Sequence, residues 1–221
     1  MGPNPLKLLE QLSESLNLHP GMRVLDLGCG RGLTSLFLAR EFGVQVFAFD
    51  LWIDATENLA RFRALGLEDS IVPIHGDAND MPSARDYFDA VISVDSYNFF
   101  GLEPDFLDRR LAPFLKPGGL LALAFPGFRR EFHDSLPPDL LLSWTPEAMD
   151  TLHSIPWWRE LLSRSALIEV EHIGEMSCFD TCWEDWLGTD NPYAKNDRPA
   201  MEAGAGQFMN LIAVQAKKRL V

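Results

Sequence analysis

An acid and three glycines stand close together in the stretch VLDLGCGRGLTS, which reads as an apolar strand, a glycine turn and the start of a helix. The four residues are Asp26, Gly28, Gly30 and Gly32. Glycine lets the backbone approach a ligand closely, and such turns commonly bind phosphate. The carboxylate of Asp26 would repel a pyrophosphate and attract an ammonium group. The stretch therefore favours a cationic ligand without phosphate, unless Asp26 only bonds to the turn itself.

A second acid, Asp50, ends the next apolar stretch, VQVFAFD. At that place a carboxylate can hydrogen-bond the ribose hydroxyls of a nucleoside, although it could also be a solvated strand end. The dinucleotide fingerprint G-x-G-x-x-G would need a glycine where this chain has Leu33. A Tyr-x-x-x-Lys pair is missing as well. Both observations count against an NAD-linked oxidoreductase or epimerase on a Rossmann fold. That enzyme class remains the alternative to an enzyme whose nucleoside cofactor carries no phosphate.

Apolar strands alternate with helical patterns over the first 127 residues. Strands that are apolar throughout and separated by helices indicate a parallel sheet covered on both faces. We predict a doubly wound, Rossmann-like α/β fold of seven strands, mostly parallel with an antiparallel last strand. Its helices include segments 5–18 and 103–119. Ligands of such folds lie at the carboxyl ends of the strands.

With these motifs the sequence resembles the class I S-adenosylmethionine-dependent methyltransferases over roughly residues 6–125. VLDLGCGRG is similar to their E/D-x-G-x-G-x-G motif. HGDANDMP and FDAVISVDSYNF resemble the motifs that follow the third strand and form the fourth, and LKPGG resembles the usual entry to the fifth. Within the class the similarity is to the small-molecule group that includes the ubiquinone/menaquinone methyltransferases. The resemblance implies S-adenosyl-L-methionine as cofactor, whose ammonium and sulfonium charges suit acids at the loop.

The resemblance also implies a role for each matching position. The acid ending the second strand would bind ribose, and the next two residues would flank the adenosine. An acid and its neighbour after the third strand would meet the adenine, and the pair after the fourth strand would lie near the methionine part. The implied cofactor-binding residues are Asp26, Gly28, Cys29, Gly30, Gly32, Asp50, Leu51, Trp52, Asp77, Ala78, Asp95 and Ser96. Trp52 would stack on the adenosine, or else pack against a helix.

Five of the six tryptophans come after Gly127. We expect a single methyltransferase domain over residues 1–221, in which residues 127–165 and 178–206 form a substrate cap. Concentrated aromatics suit a partly apolar pocket under a lid, although they could equally build the cap's own core. The candidate substrate-binding residues are Tyr97, Asn98, His133, Trp144 and Trp183. The expected substrate is a small, partly apolar molecule.

The sequence does not single out a catalytic base. Methyl transfer can proceed by positioning alone, whereas a hydroxyl or amine acceptor often needs a proton removed. Tyr97 and His133 are the candidates for that role, and His75, His153 and His172 are interpreted as surface positions. A protein that binds S-adenosylmethionine without transferring its methyl group is the remaining hypothesis.

Composition limits the partners. The formal net charge is −13 and the basic residues occur only in small groups. Nucleic acids and anionic membranes need a basic stripe, so we expect neither as a partner. The amino-terminal sequence is unlike a signal peptide, which predicts a cytoplasmic protein, as monomer or homodimer. The pair Cys178 and Cys182 is interpreted as packing residues, because two thiols are too few for a zinc site, and no metal is expected.

Overall fold

Seven strands form one sheet in the order β3-β2-β1-β4-β5-β7-β6. The structure, a computed structural model, describes residues 2–132 and 135–220, so the candidate His133 lies outside the described residues. The strands are β1 (Arg23–Leu27), β2 (Gln45–Asp50), β3 (Ile71–His75), β4 (Phe88–Val94), β5 (Leu115–Phe128), β6 (Ile168–Glu175) and β7 (Met209–Lys218). β1 to β5 pair in parallel, and β7 runs antiparallel between β5 and β6. The predicted fold class is confirmed.

Eight α-helices connect and cap these strands in the described part of the chain. They are α1 (Pro5–Ser13), α2 (Leu33–Phe42), α3 (Ala55–Ala64), α4 (Tyr97–Phe100), α5 (Pro146–Met149), α6 (Ile155–Leu162), α7 (Phe179–Leu187) and α8 (Pro192–Glu202). Local chemistry explains several boundaries. Asp54 accepts a hydrogen bond from the Thr56 N–H at the start of α3, and Gly43 ends α2 with a left-handed backbone. Asp54 is thus a typical N-cap, and Gly43 is a typical C-terminal glycine of a helix.

The core lies in two layers, one on each face of the sheet. Leucines of α1 and α2 pack on one face with Phe62 of α3, and the buried aromatics of α7 continue this layer. On the other face, Leu107 and Leu111 pack together with Trp158 of α6. Because both faces of the central strands are covered, their side chains are apolar in both directions. Helices and turns thus cover both faces of the sheet. The loops that follow the parallel strands lie at its carboxyl edge.

Two predicted helices are shorter in the structure. The helix expected over 5–18 ends at Ser13. The helix expected over 103–119 is reduced to a π-helical turn at Leu107–Leu111 and a 3₁₀ turn at Ala112–Phe114. Pro113 has no N–H for a helical hydrogen bond, and the chain becomes extended at Leu115, which pairs with Phe88 of β4. LKPGG is thus the beginning of β5 and not a helix exit.

The first segment of the expected cap is residues 127–165, and its role as a cap stays a prediction. α6 lies within that range, but its Trp158 is fully buried in the layer beneath the sheet, along with Leu161 and Leu162. The helix therefore covers the sheet and belongs to the core of the fold. Residues 178–206 contain α7 and α8. No helix in the described ranges is both long and apolar enough to cross a membrane.

Candidate active site

The glycine loop lies between β1 and α2 at the carboxyl edge of the sheet. Gly28 and Gly30 both have positive φ angles, 79° and 54°, a region that L side chains rarely adopt. A Cβ at Gly28 would come within 2.2 Å of Ser96 Oγ, so the β4 side packs directly against the loop. A Cβ at Gly30 would meet no heavy atom within 4 Å. The space beside Gly30 is therefore open to a ligand.

Asp50 joins the glycine loop to the loop after β2. Its Oδ2 accepts a hydrogen bond from the Gly30 N–H at 2.8 Å. Its Oδ1 accepts from the N–H groups of Trp52 at 2.8 Å and Ile53 at 2.9 Å. Each carboxylate oxygen can accept about two hydrogen bonds, so Oδ2 retains capacity for a further donor such as a ligand hydroxyl. Asp50 is a buried organiser of both loops.

Asp26 is buried at the end of β1 with one oxygen unpaired. Its Oδ2 accepts hydrogen bonds from Thr34 Oγ1 at 2.7 Å and Ser35 Oγ at 2.6 Å. Its Oδ1 has no hydrogen-bond partner among the described residues. Burial raises the pKa of Asp26 to about 6, despite the two hydroxyl donors. An acceptor that is buried and unpaired is energetically costly, and a cationic donor brought to the loop would supply the missing partner.

Cys29 contributes backbone rather than a reactive thiol. Its N–H donates to the Phe49 carbonyl at 3.1 Å, and its side chain is buried. Burial raises the pKa of the Cys29 thiol far above its usual range. The side chain lies beside Asn58 of α3, which also donates to the Gly30 carbonyl at 2.9 Å. Asn58 thus connects the glycine loop to α3.

Exposed apolar side chains stand beside the loop after β2. Leu51 and Trp52 are exposed, the indole to 75%. Trp52 lies edge-on to Phe99, with ring centroids 6.3 Å apart, and Phe99 is also exposed. Because Trp52 is exposed and its ring also contacts Phe99 of α4, stacking on an adenosine and packing against a helix both stay predictions. His75 Nε2 lies 2.8 Å from the Leu51 carbonyl and holds this loop against the end of β3.

The residues after β3 differ in their surroundings. The carboxylate of Asp77 accepts from the N–H of Asn79 at 2.8 Å and from its side-chain amide at 3.0 Å. This turn leaves Asp77 exposed, whereas Ala78 is buried. An exposed acid beside a buried small residue can bond a base edge and still leave room for its ring.

The end of β4 turns sharply at Asp95, whose φ is 56°. The Asp95 N–H still donates to Ala124 of β5 at 2.7 Å, and Ser96 Oγ donates to the Leu27 carbonyl at 2.9 Å. The amino-terminal Gly2 lies against the Asp95 carboxylate, since a Cβ at Gly2 would be 2.7 Å from Oδ2. Burial raises the pKa of Asp95 to about 6. A second carboxyl with a raised pKa therefore stands near the loop, under the amino-terminal segment.

Tyr97 and Asn98 are both buried, but their side chains have different neighbours. Tyr97 is fully buried in the core layer, with its ring centroid 5.9 Å from that of Trp158. Burial raises the pKa of the phenol above its usual range, so the structure places the first base candidate in the core and not in a pocket. Asn98 is also buried; its Nδ2 donates to Thr151 Oγ1 at 3.1 Å. Its Oδ1 has no partner among the described residues.

The carboxylate of Asp197 connects two tryptophans of the expected cap. Asp197 of α8 accepts from Trp144 Nε1 at 2.8 Å and from Trp186 Nε1 at 2.9 Å. Trp183 packs against Trp144 with centroids 6.1 Å apart, and it is buried. The predicted substrate residues Trp144 and Trp183 are thus neighbours. Trp183 belongs to a buried cluster against which Trp144 packs, and a role of either in substrate binding stays a prediction.

A cavity of about 500 Å³ opens in the segment between β5 and α6. Its lining is largely apolar and includes Phe128, Phe132 and Met149, with Glu131 and His153 as polar groups. His153 Nδ1 lies 3.0 Å from Glu131 Oε2, and the imidazole stacks on Trp157 with ring centroids 3.6 Å apart and an interplanar angle of 9°. A second cavity of about 420 Å³, near Asn17, Lys116 and Gln215, lies at the opposite edge of the sheet.

Comparison with known proteins also indicates a similarity to methyltransferases. Residues 24–119 match the family model described as a methyltransferase domain. The methyltransferase GfsG of Streptomyces halstedii is 36% identical over 119 residues, covering 53% of this chain and 42% of that protein. Phosphoethanolamine N-methyltransferase 1 of Arabidopsis thaliana is 32% identical over 119 residues, covering 54% of this chain and 24% of that protein. The chain matches less than half the length of these curated relatives.

Solved structures resemble almost the whole chain. The [4+2]-cyclase SpnF has a TM-score of 0.76 at 22% identity, covering 97% of this chain and 82% of that one. Geranyl diphosphate C-methyltransferase from Streptomyces coelicolor A3(2) has a TM-score of 0.72 at 16% identity, covering 96% and 76%. These similarities support the resemblance to the class I methyltransferases that the sequence motifs indicate. S-adenosylmethionine is the cofactor of this class, whereas the finer resemblance to quinone methyltransferases stays a prediction.

Most of the implied cofactor residues converge at the carboxyl edge of the sheet. The loops after β1, β2, β3 and β4 carry them, and the hydrogen bonds of Asp50 and Ser96 connect these loops. The sequence does not predict the pairing of Glu131 with His153, because the two are 22 residues apart in a segment without periodic pattern. His153, interpreted from the sequence as a surface position, is partly buried, with 21% of its side chain exposed.

Proposed function

We propose that this chain transfers a methyl group from S-adenosylmethionine to a small, partly apolar acceptor. The observation that carries the proposal is the buried, unpaired Oδ1 of Asp26 beside a glycine loop with open space at Gly30. An ammonium group would satisfy that oxygen, whereas a phosphate would be repelled by it. Among nucleoside cofactors, this preference favours S-adenosylmethionine over NAD.

Neighbouring groups suit the rest of the same cofactor. Asp50 Oδ2 has capacity for a ribose hydroxyl, and the exposed Trp52 offers a surface on which a base can stack. Asp77 and Ala78 border the same region on the β3 side. When bound, the cofactor would supply an electrophilic methyl group. This chain's residues would position it, because in-line displacement gains most from orientation.

The acceptor side rests on the cavity near Phe128. A volume of about 500 Å³ falls within the range of small-molecule pockets, roughly 300–1,000 Å³. Phe132 and Met149 in its lining favour an apolar part of the substrate, and Glu131 and His153 favour a polar part. This combination supports a partly apolar acceptor with at least one hydrogen-bonding group.

Calorimetry separates the cofactors. We expect S-adenosylhomocysteine to bind and NAD not to bind; binding of NAD alone would refute the proposal. Incubation with S-adenosylmethionine and a metabolite extract should then yield products heavier by one methylene unit, detected by mass spectrometry. Cofactor binding with a persistent lack of such products would favour the binding protein without transfer activity.

A further inference from the structure

We propose that His153 and Glu131 form a general-base pair that removes the proton from a hydroxyl acceptor in the cap cavity. The inference rests on the proposed function and names its acceptor class and its base. Both side chains line the 500 Å³ cavity. Of the two base candidates from the sequence, Tyr97 lies in the core and His133 lies outside the described residues.

The segment that carries His153 is hydrogen-bonded to the carboxyl edge of the sheet. The His153 carbonyl accepts from the N–H of Phe128, the last residue of β5, at 3.1 Å. Two residues earlier, Thr151 Oγ1 accepts from Asn98 of α4 at 3.1 Å. The segment is thus linked to β5 through His153 and to the segment after β4 through Thr151. The methionine part of the cofactor is expected at this same edge.

Glu131 sets the proton arrangement of the imidazole. Burial alone would raise the pKa of Glu131, but hydrogen bonds from Ser154 and His153 outweigh it and hold the pKa of this carboxyl below its usual range. A carboxylate can only accept, so the proton of a neutral imidazole must sit on Nδ1. Nε2, which has no hydrogen-bond partner among the described residues, is then the basic nitrogen.

Packing holds the ring in place. The imidazole is stacked on Trp157, and Ser154 N–H donates to the other Glu131 oxygen at 2.5 Å. Both Glu131 oxygens are therefore occupied, which fixes the carboxylate. Asp150 is a further acid in the cavity lining. A base held by a third group is the usual arrangement for proton removal.

The proposed reaction step combines methyl transfer with removal of the hydroxyl proton. The acceptor oxygen attacks the methyl carbon, and an O–C bond forms while the C–S bond breaks with its electron pair passing to sulfur. The hydroxyl proton moves to His153 Nε2, and Glu131 stabilises the imidazolium that results. Solvent later takes the proton. No oxidant, reductant or metal is needed.

The test compares His153→Gln and Glu131→Gln with His172→Ala, a change at an exposed histidine of β6. The probes are S-adenosylhomocysteine for binding and the metabolite extract for turnover. We expect unchanged S-adenosylhomocysteine affinity in all three variants and, at equal enzyme concentration, a rate of methylated-product formation that is lower by about 10²-fold or more for His153→Gln. His153→Gly should recover activity with added imidazole, and His172→Ala should match the parent protein. An unchanged rate of product formation in His153→Gln would overturn the inference.

Two further measurements do not depend on the activity of the variants. Nitrogen-15 NMR of the parent protein should show the Nδ1–H tautomer of His153, and a dominant Nε2–H tautomer would overturn the assignment even without a known product. The methyl group of any product should appear as a methoxy signal. N-methyl or C-methyl products would overturn the hydroxyl class. By contrast, failure of S-adenosylhomocysteine to bind the parent protein would count against the proposed function itself.

Discussion

Asp50 accepts a hydrogen bond from the backbone N–H of Gly30 at 2.8 Å, and this contact connects the end of β2 with the glycine loop of β1. The same carboxylate also accepts from the first residues of the following loop. Two loops that would each contact a nucleoside are thereby held by one side chain. A side chain that organises a site in this way is expected to matter more for binding than its single ligand contact suggests.

Replacing Asp50 by alanine should weaken cofactor binding strongly. Three backbone N–H groups lose their acceptor and the ribose loses its partner, so we expect a loss of at least about 10-fold in S-adenosylhomocysteine affinity, or about 1.4 kcal/mol. Titration calorimetry measures it. Asp80→Ala, which removes an exposed acid in the turn after β3, is the control and should leave affinity unchanged. Equal affinities for the two variants would refute the placement of Asp50.

Gly30 and Gly66 form a matched pair for testing where the cofactor lies. Both have positive φ, 54° and 67°, and a Cβ at either position meets no heavy atom within 4 Å. Alanine should therefore cost each a similar amount of stability, about 1 kcal/mol. Only Gly30→Ala should also weaken S-adenosylhomocysteine binding, because its Cβ would enter the space beside the loop.

Urea unfolding and calorimetry on the two glycine variants give independent answers. Similar midpoints with a binding loss confined to Gly30→Ala would support the site. Full binding by Gly30→Ala would instead place the cofactor elsewhere. Because the two residues are equally unhindered, a general loss of folding cannot imitate the expected result.

Local sequence patterns were sufficient for the sheet and the glycine loop, but not for the cap. The loop and Asp50 were predictable because each follows an apolar strand, and the carboxyl ends of parallel strands meet at one edge. The orientation of Tyr97 was not, since it depends on the positive φ of Asp95 two residues earlier. The meeting of Glu131 with His153 depends on how the cap folds back onto β5. Neither event leaves a periodic pattern in the sequence.

Cofactor affinity should fall in acid because of Asp26. Burial raises the pKa of its carboxyl to about 6, above the usual pKa of an exposed aspartate. A bound ammonium group favours the carboxylate, so protons and ligand compete. S-adenosylhomocysteine affinity should be highest above about pH 6 and should fall by up to about 10-fold per pH unit below it. Calorimetry at several pH values measures this.

The stability of the ligand-free protein should follow the opposite trend for this group. Because the pKa of Asp26 is raised on folding, the folded state binds the proton more tightly, so its contribution to stability falls as pH rises from about 4 to about 6. Asp26→Asn should lower affinity at neutral pH and flatten both dependences, apart from what Asp95, whose pKa is also about 6, contributes. An affinity that is constant down to about pH 5 would contradict the role of Asp26.

Asp197 should be the most sensitive acid in the cap. It accepts from the indole N–H groups of Trp144 and Trp186, and removing it leaves two partly or fully buried donors without their acceptor. Each such donor costs about 1–3 kcal/mol, so Asp197→Ala should lower the free energy of unfolding by about 2–4 kcal/mol in urea titrations. Asp190→Ala, which removes a fully exposed carboxylate 3.2 Å from Lys195, should change it by less than about 1 kcal/mol. If both variants were equally stable, the two indole contacts would not be holding the cap together, and the partners of Trp144 would have to be sought in α7.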